Sequence, residues 1–234
     1  MKTPPIASAQ EWDAALQAML VKEKEVQRAR DALAAQRRRM PRLPVEKAYV
    51  FDGPDGKLSL LDLFDGRRQL IVYRAFIEPG TGDDDVPGLP GWPEHGCVGC
   101  SLMADHVPNL AHLNARDTTF VYVSRATQPD LERMKTKMGW RHPWFTITDD
   151  FDKDFDCDMW HATNAFIRDE NDRIFRTYVI TGRGDEVFVS TWNLLDMTAL
   201  GRQEDWEDSP DGYPQTPPYG WWRWNDTYTE HEDA

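Results

Sequence analysis

The chain has 234 residues, of which 40% are hydrophobic and 29% charged, with a net charge of −13; that is enough chain to bury a full core without disulfide staples. Three cysteines, no charged-then-apolar leader and no apolar run near membrane-spanning length are expected of a cytoplasmic protein in a reducing compartment. Residues 1–47 hold 10 Lys and Arg against 6 Asp and Glu, leaving 17 against 34 for the rest, and so acidic a body repels phosphate backbones and anionic lipid, so neither nucleic acid nor a membrane is an expected partner.

Taken in chain order, Ser8 and Glu11 form a capping box, and Trp12, Leu16, Met19, Leu20, Val26, Ala29 and Leu33 recur at helical spacing until Pro41 and Pro44. The pattern predicts one long N-terminal helix over roughly 9–39, with Arg37, Arg38 and Arg39 suiting the negative end of its dipole. Its apolar stripe needs a cover, and the basic arm before an acidic body points to a second copy of the chain, hence a homo-oligomer. Tyr49 to Phe51 reads as a short strand, Asp52 to Gly56 as a turn, and Leu58 to Phe64 as a brief structured stretch. Leu70-Ile71-Val72-Tyr73 lacks alternation, which marks a strand covered on both faces. A helix with Leu102, Met103, Val107, Leu110 and Leu113 as its stripe is expected next, then a buried strand from Thr118 to Val123. Pro129 opens a further helix that Gly139 ends, Trp144 to Ile147 is another strand, and Ala165–Ile167 with Ile174–Phe175 flank a hairpin turn at Asp169–Asp172. Strands alternating with helices and then a hairpin define an α/β sandwich with a mixed sheet. Beyond Leu200 the composition turns to Pro, Gly, Trp and acids. The expected organisation is a helical arm (1–47), an α/β domain (48–200) and an irregular tail (201–234).

Cys97-Val98-Gly99-Cys100 falls where a loop runs into a helix. Free N–H groups and the positive dipole end at a helix start favour a thiolate at Cys97, and Cys100, one turn on, is placed to close a disulfide. A CxxC also occurs as half a zinc site. On a continuous helix His106 would lie about 9 Å along and about 120° around from Cys100, so a zinc ion there would need His95, Cys157 or a carboxylate instead. In the redox reading Cys97 attacks a disulfide and Cys100 resolves the mixed intermediate; His95 and Arg74, if close, would lower the Cys97 pKa. No metal and no organic cofactor is expected in that reading. Cys157 lies in the acidic run Asp149–Asp158, which fails as a calcium loop because Phe155 and His161 stand at its glycine and glutamate positions, leaving an acidic surface turn. Trp221, Trp222 and Trp224 are expected to fold back over a core edge or to anchor a partner.

The order of elements resembles the thioredoxin-like superfamily, peroxiredoxin-type members included. More closely, the chain resembles the bacterial thioredoxin-like family known as domain of unknown function 899. The likeness is carried by Lys22 to Glu25, Arg30 to Ala34, Tyr49 to Gly53, Cys97-x-x-Cys100-Ser101, His112 to Asp117, Met138-Gly139-Trp140 with Pro143-Trp144, Thr177-Tyr178 and Asn193 to Asp196. The resemblance implies a thioredoxin-like sandwich and puts Ser101, Tyr178 and Arg183 among the supporting or substrate-binding candidates, with Arg74, Trp92 and His95 near the dithiol. Three features depart from the pattern. Arg74-Ala75-Phe76 stands where the family usually has a His-Phe pair, residues 78–93 form a longer and more acidic connection, and no proline occurs in 158–166, so that Thr163 or its neighbour takes the place beside the dithiol. Glu94 occupies the position of the hydroxyl that peroxiredoxin chemistry uses, which implies poor peroxide reduction. The expected function is thiol-disulfide exchange with a small disulfide or a redox partner protein; the alternatives are a non-catalytic thioredoxin-like binding scaffold and a metal-binding CxxC protein.

Overall fold

In a computed structural model, residues 3–77 and 97–228 are described. The chain divides into two compact units, Met1–Pro41 with Leu195–Pro218, and Arg42–Leu194 with Tyr219–Ala234.

The first unit contains helix α1, Ala9–Arg37. Its start is fixed by the capping box that the sequence predicts: the Ser8 side chain caps the Glu11 N–H at 3.3 Å while the Glu11 carboxylate accepts the Ser8 N–H at 2.9 Å. The helix ends two residues earlier than expected, and none of its residues is buried. Residues 196–218 are irregular apart from a single bridge between Glu204 and Thr216. Arg202 is held there by Asp196 at 2.7 Å.

The second unit is built on one eight-stranded sheet: β1 (Leu43–Val45), β2 (Val50–Gly53), β3 (Gly56–Ser59), β4 (Gln69–Arg74), β5 (Thr118–Ser124), β6 (Trp144–Ile147), β7 (Ala162–Arg168) and β8 (Ile174–Ile180). Its order is β1-β8-β7-β4-β5-β6-β2-β3, and it curls toward a half-barrel as twist accumulates across the strands. β4 pairs parallel with β5, β5 parallel with β6, and β4 antiparallel with β7, so the sheet is mixed. The block β8-β7-β4-β5 with a helix after β4 is the thioredoxin-like core. α2 (Val98–Asp105), α3 (Ala111–Asn114), α4 (Gln128–Met138), α5 (Phe151–Asp154) and α6 (Ser190–Leu195) complete the elements.

Apolar layers on both faces explain why β4 and β5 lack alternation. One layer joins Tyr73 and Tyr122 to Leu102 and Met103 of α2, Leu131 and Met134 of α4, and Trp144. The opposite layer joins Leu70, Val72, Val121 and Val123 to Phe51, Phe64, Phe151 and Phe166. α4 is closed as its sequence requires, with Thr127 capping Asp130 and Gly139 in the left-handed region at φ 75°. Two expectations are corrected. The stripe from Leu102 to Leu113 is not one helix, because α2 stops at Asp105 and Pro108 separates it from α3. The acidic run is not a surface turn: Phe151, Asp152, Phe155 and Cys157 are all buried. Among the described residues no helix is long and apolar enough to cross a membrane.

Candidate active site at the start of α2

Beyond Arg74 the chain stays tied to the sheet, with the Ala75 N–H donating to the Val123 carbonyl at 2.9 Å. The Phe76 carbonyl then accepts the Cys97 N–H at 3.1 Å, which pins the start of α2 beside the end of β4. Cys97 is the N-cap residue, in extended conformation, and its sulfur accepts the Cys100 N–H at 3.2 Å. The sulfur thus occupies the place of a capping oxygen. Cys100, one turn on, is fully buried, and its Sγ accepts the Phe76 N–H at 3.3 Å.

The two thiols are therefore unequal. The hydrogen bond from the Cys100 side chain, aided by the N–H groups of Cys100 and Gly99 and by the charge of Arg74, lowers the Cys97 pKa against the opposing effect of burial. Burial first, and then the adjacent Cys97, pushes the Cys100 thiol well above its ordinary value. Tyr73, buried on β4, lies against the Cys100 sulfur, and its hydroxyl has no other partner among the described residues.

Arg74 is wholly buried on β4, and its Nη2 lies 3.0 Å from a carboxylate oxygen of the equally buried Asp152. Arg125 grips the same carboxylate, with Nε 2.9 Å from its Oδ2. Burial alone would raise the Asp152 pKa, but the hydrogen bonds and charges of Arg125 and Arg74 outweigh it and hold the carboxyl low. Of this cluster, the charge of Arg74 acts on Cys97 and favours its thiolate.

A cavity of about 280 Å³ opens beside Cys97. Tyr73, Gly99 and Met103 line one side, and Trp160, His161, Trp192, Tyr219 and Trp222 supply the aromatic remainder. The C-terminal tryptophans do fold back: Trp224 is buried in the core, and Trp222 stacks with Trp192 and Tyr219 at 5.3 and 4.4 Å between ring centroids. Gly99 is required for this approach, since a Cβ there would meet Trp222 at 2.6 Å. The segment Gly182–Phe188 adds Arg183, Asp185 and Glu186 to the lining. Arg183 pairs with Glu186 at 3.0 Å, and the Tyr219 hydroxyl donates to the same carboxylate at 3.2 Å. Asp185 is buried, which pushes its pKa up to about 7, and neither of its carboxylate oxygens has a hydrogen-bond partner among the described residues. The neighbouring Thr163 hydroxyl does not reach hydrogen-bond geometry with it. His161, its Nε2 3.9 Å away, is driven down to about 4 by burial and by Arg74.

Of the residues singled out in the sequence, Cys97 and Cys100 come together, Arg74 acts on Cys97 through its charge, and Arg183 lines the cavity with Cys97. Ser101 is buried one residue beyond the pair, its hydroxyl donating to the Val98 carbonyl at 2.8 Å within the first turn of α2. Thr163 pairs across the sheet with Tyr73, whereas Tyr178, on β8, pairs with Ala165 of β7 and is not among the residues that line the cavity. Trp92, Glu94 and His95 lie outside the described residues. His106 sits at the end of α2, bonded to the Leu102 carbonyl at 2.7 Å and to Thr191 at 2.8 Å. Among the described residues no three His, Cys, Asp or Glu side chains converge as a metal site. Sequence reasoning missed Asp185 and His161; the only signal was an acid flanked by Gly182 and Gly184 after the last strand.

Solved structures similar to this chain include a thiol:disulfide interchange protein from a Bacteroides species, 15% identical, covering 70% of this chain and 94% of that one at a TM-score of 0.39. Another is the peroxidoxin BcpB from Mycobacterium tuberculosis, 12% identical, covering 67% and 96% at 0.39. No curated protein matches the sequence. The family pattern of DUF899, described as a bacterial protein of unknown function, matches residues 1–228, and the chain belongs to that family.

Proposed function

We propose that the protein is a thiol-disulfide oxidoreductase in which Cys97 is the nucleophile and Cys100 the resolving thiol. The observation that carries this reading is their asymmetry: one half-buried sulfur with a lowered pKa at a helix start, and one buried sulfur with a raised pKa a turn away. Such a pair suits sequential attack, because the lowered pKa favours the thiolate of the first thiol and the second acts only once a mixed disulfide forms beside it. Arg74 is a positioning residue that favours the Cys97 thiolate through its charge. A small disulfide or a redox partner protein exchanges electrons with the pair, in the cytoplasm, and no organic cofactor takes part. Hydrogen peroxide is a poor substrate in this reading, since Glu94 replaces the activating hydroxyl.

Thiol counting after mild oxidation tests it. The native chain and Cys157→Ser should each lose two thiols per molecule, and Cys97→Ser none; full retention of thiols in the native chain would favour a non-catalytic binding scaffold. The exposed apolar residues of α1, Trp12, Met19, Val26 and Leu33 among them, pair with a second copy of the chain, drawn by a basic arm facing an acidic body. Removing residues 1–41 should then lower the number of chains per particle in solution, and an unchanged number would reject the pairing.

A further inference from the structure

We propose that the cavity beside Cys97 seats one half of a small, uncharged aromatic disulfide, its ring among Trp160, Trp192, Tyr219 and Trp222 and its sulfur against the Cys97 Sγ. This rests on the dithiol reading above and names its substrate class.

Size, wall chemistry and charge converge on that class. A volume of about 280 Å³ lies at the small end of ligand pockets, which suits a single ring with a short substituent. The walls are aromatic faces, and such faces reward a stacked or edge-on ring more than a flexible polar chain. The charged lining residues cancel: Arg183 is held by Glu186, which also takes the Tyr219 hydroxyl. A disulfide bearing carboxylates would have to shed water with no uncommitted cation among the described lining residues to replace it, at a cost of several kcal/mol. The acidic chain as a whole adds repulsion. Asp185 supplies a polar group that no neighbour among the described residues holds. Its buried carboxyl has no hydrogen-bond partner among the described residues, and in its protonated form it donates one hydrogen bond to an acceptor on the ring.

The chemistry balances without any group beyond the dithiol. The Cys97 thiolate forms a bond to the sulfur of the seated half, the substrate disulfide breaks, and the other half leaves as a thiolate that takes a proton from solvent. Cys100 then loses its proton and attacks the Cys97 Sγ, forming the Cys97–Cys100 disulfide and releasing the seated half, which carries off that proton as a thiol. Two electrons pass from protein to substrate, and a small external dithiol restores the reduced pair.

The test uses the full reduced chain with two probes, neutral dithiodipyridine and doubly anionic dithiobis(nitrobenzoate). Each rate is divided by the rate of the same probe with a free small dithiol, which removes intrinsic reactivity. The expected normalised rate is about tenfold or more higher for the neutral probe, corresponding to ~1.4 kcal/mol. Trp160→Ala, whose ring is exposed at the rim, and Asp185→Ala should each lower the normalised rate of the neutral probe and so erode that preference. Equal normalised rates, or a preference for the anionic probe, would overturn the proposal. If neither probe reacts through Cys97, the dithiol reading falls, and calorimetric titration of Cys97→Ser with dithiodipyridine decides the cavity separately. Saturable binding that weakens in the Trp160→Ala background upholds the pocket; absence of saturable heat rejects it.

Discussion

Cys97 and Cys157 both feel the charge of Arg74, yet their thiols are driven in opposite directions. At Cys97 the hydrogen bond from Cys100 and the N–H groups at the start of α2 add to the guanidinium and together overcome burial. At Cys157, on the opposite face of the sheet, burial dominates and pushes the thiol up to about 12, with Asp152 and Asp158 offsetting part of what Arg74 contributes. A nearby cation is thus not sufficient to make a reactive cysteine. Donors aimed at the sulfur decide which of the two thiols has its pKa lowered, and a helix start is what aims them.

The comparison breaks most sharply by mutation of the sulfurs. Cys97→Ser should reduce disulfide exchange to the uncatalysed blank, while Cys157→Ser should keep it within about twofold, because surface-remote thiols that remain protonated do not attack disulfides. Equal losses in the two variants, measured with a small disulfide, would erase the distinction.

The next largest effect concerns the carboxylate between the two regions. Asp152→Ala leaves Arg74 buried without its ion pair and should cost about 3–5 kcal/mol in urea unfolding. Recovery of most of that loss in Asp152→Asn, which keeps acceptor oxygen but not charge, would show that hydrogen bonding outweighs charge there.

A smaller effect follows from the acid in the cavity. The folded chain holds the Asp185 proton up to about pH 7, whereas the unfolded carboxyl releases it near about pH 4. Between those values the unfolded state binds fewer protons, so stability falls as pH rises, by at most ~4 kcal/mol. Asp185→Asn removes this penalty. It should therefore melt above the native chain at pH 8 and close to it near about pH 4; a constant difference across that range would show that Asp185 does not titrate between them.

The smallest effect sits inside the CxxC itself. Gly99→Ala forces Trp222 away from α2 and should cost about 1–3 kcal/mol with a change in tryptophan fluorescence. An unchanged spectrum would mean that the ring is not held against the motif.

How much of this was legible in the sequence depended on whether the signal was local. The apolar runs of β4 and β5, the Pro129 and Gly139 ends of α4 and the Ser8–Glu11 box were readable, because end signals and two-face burial write themselves into neighbouring residues. The CxxC at a helix start was readable for the same reason. The single-helix reading of Leu102 to Leu113 failed because periodicity was followed across Pro108. The acidic run was misread because its charge hid Phe151 and Phe155, spaced one helical turn apart, and because Asp152 is satisfied by Arg74 from 78 positions away. Asp185, His161 and the Trp222 wall meet Cys97 only through tertiary packing, which no local pattern records.

The central claim, that Cys97 alone is the activated thiol, is tested most directly by alkylating the native reduced chain with iodoacetamide across pH and following each cysteine peptide by mass spectrometry. The account predicts that Cys97 reacts first, with a midpoint below the free-thiol value of about 8.5, and that Cys100 and Cys157 remain largely unlabelled until the chain unfolds. A Cys97 midpoint at or above that value, or labelling of Cys157 at a matching rate, would contradict it.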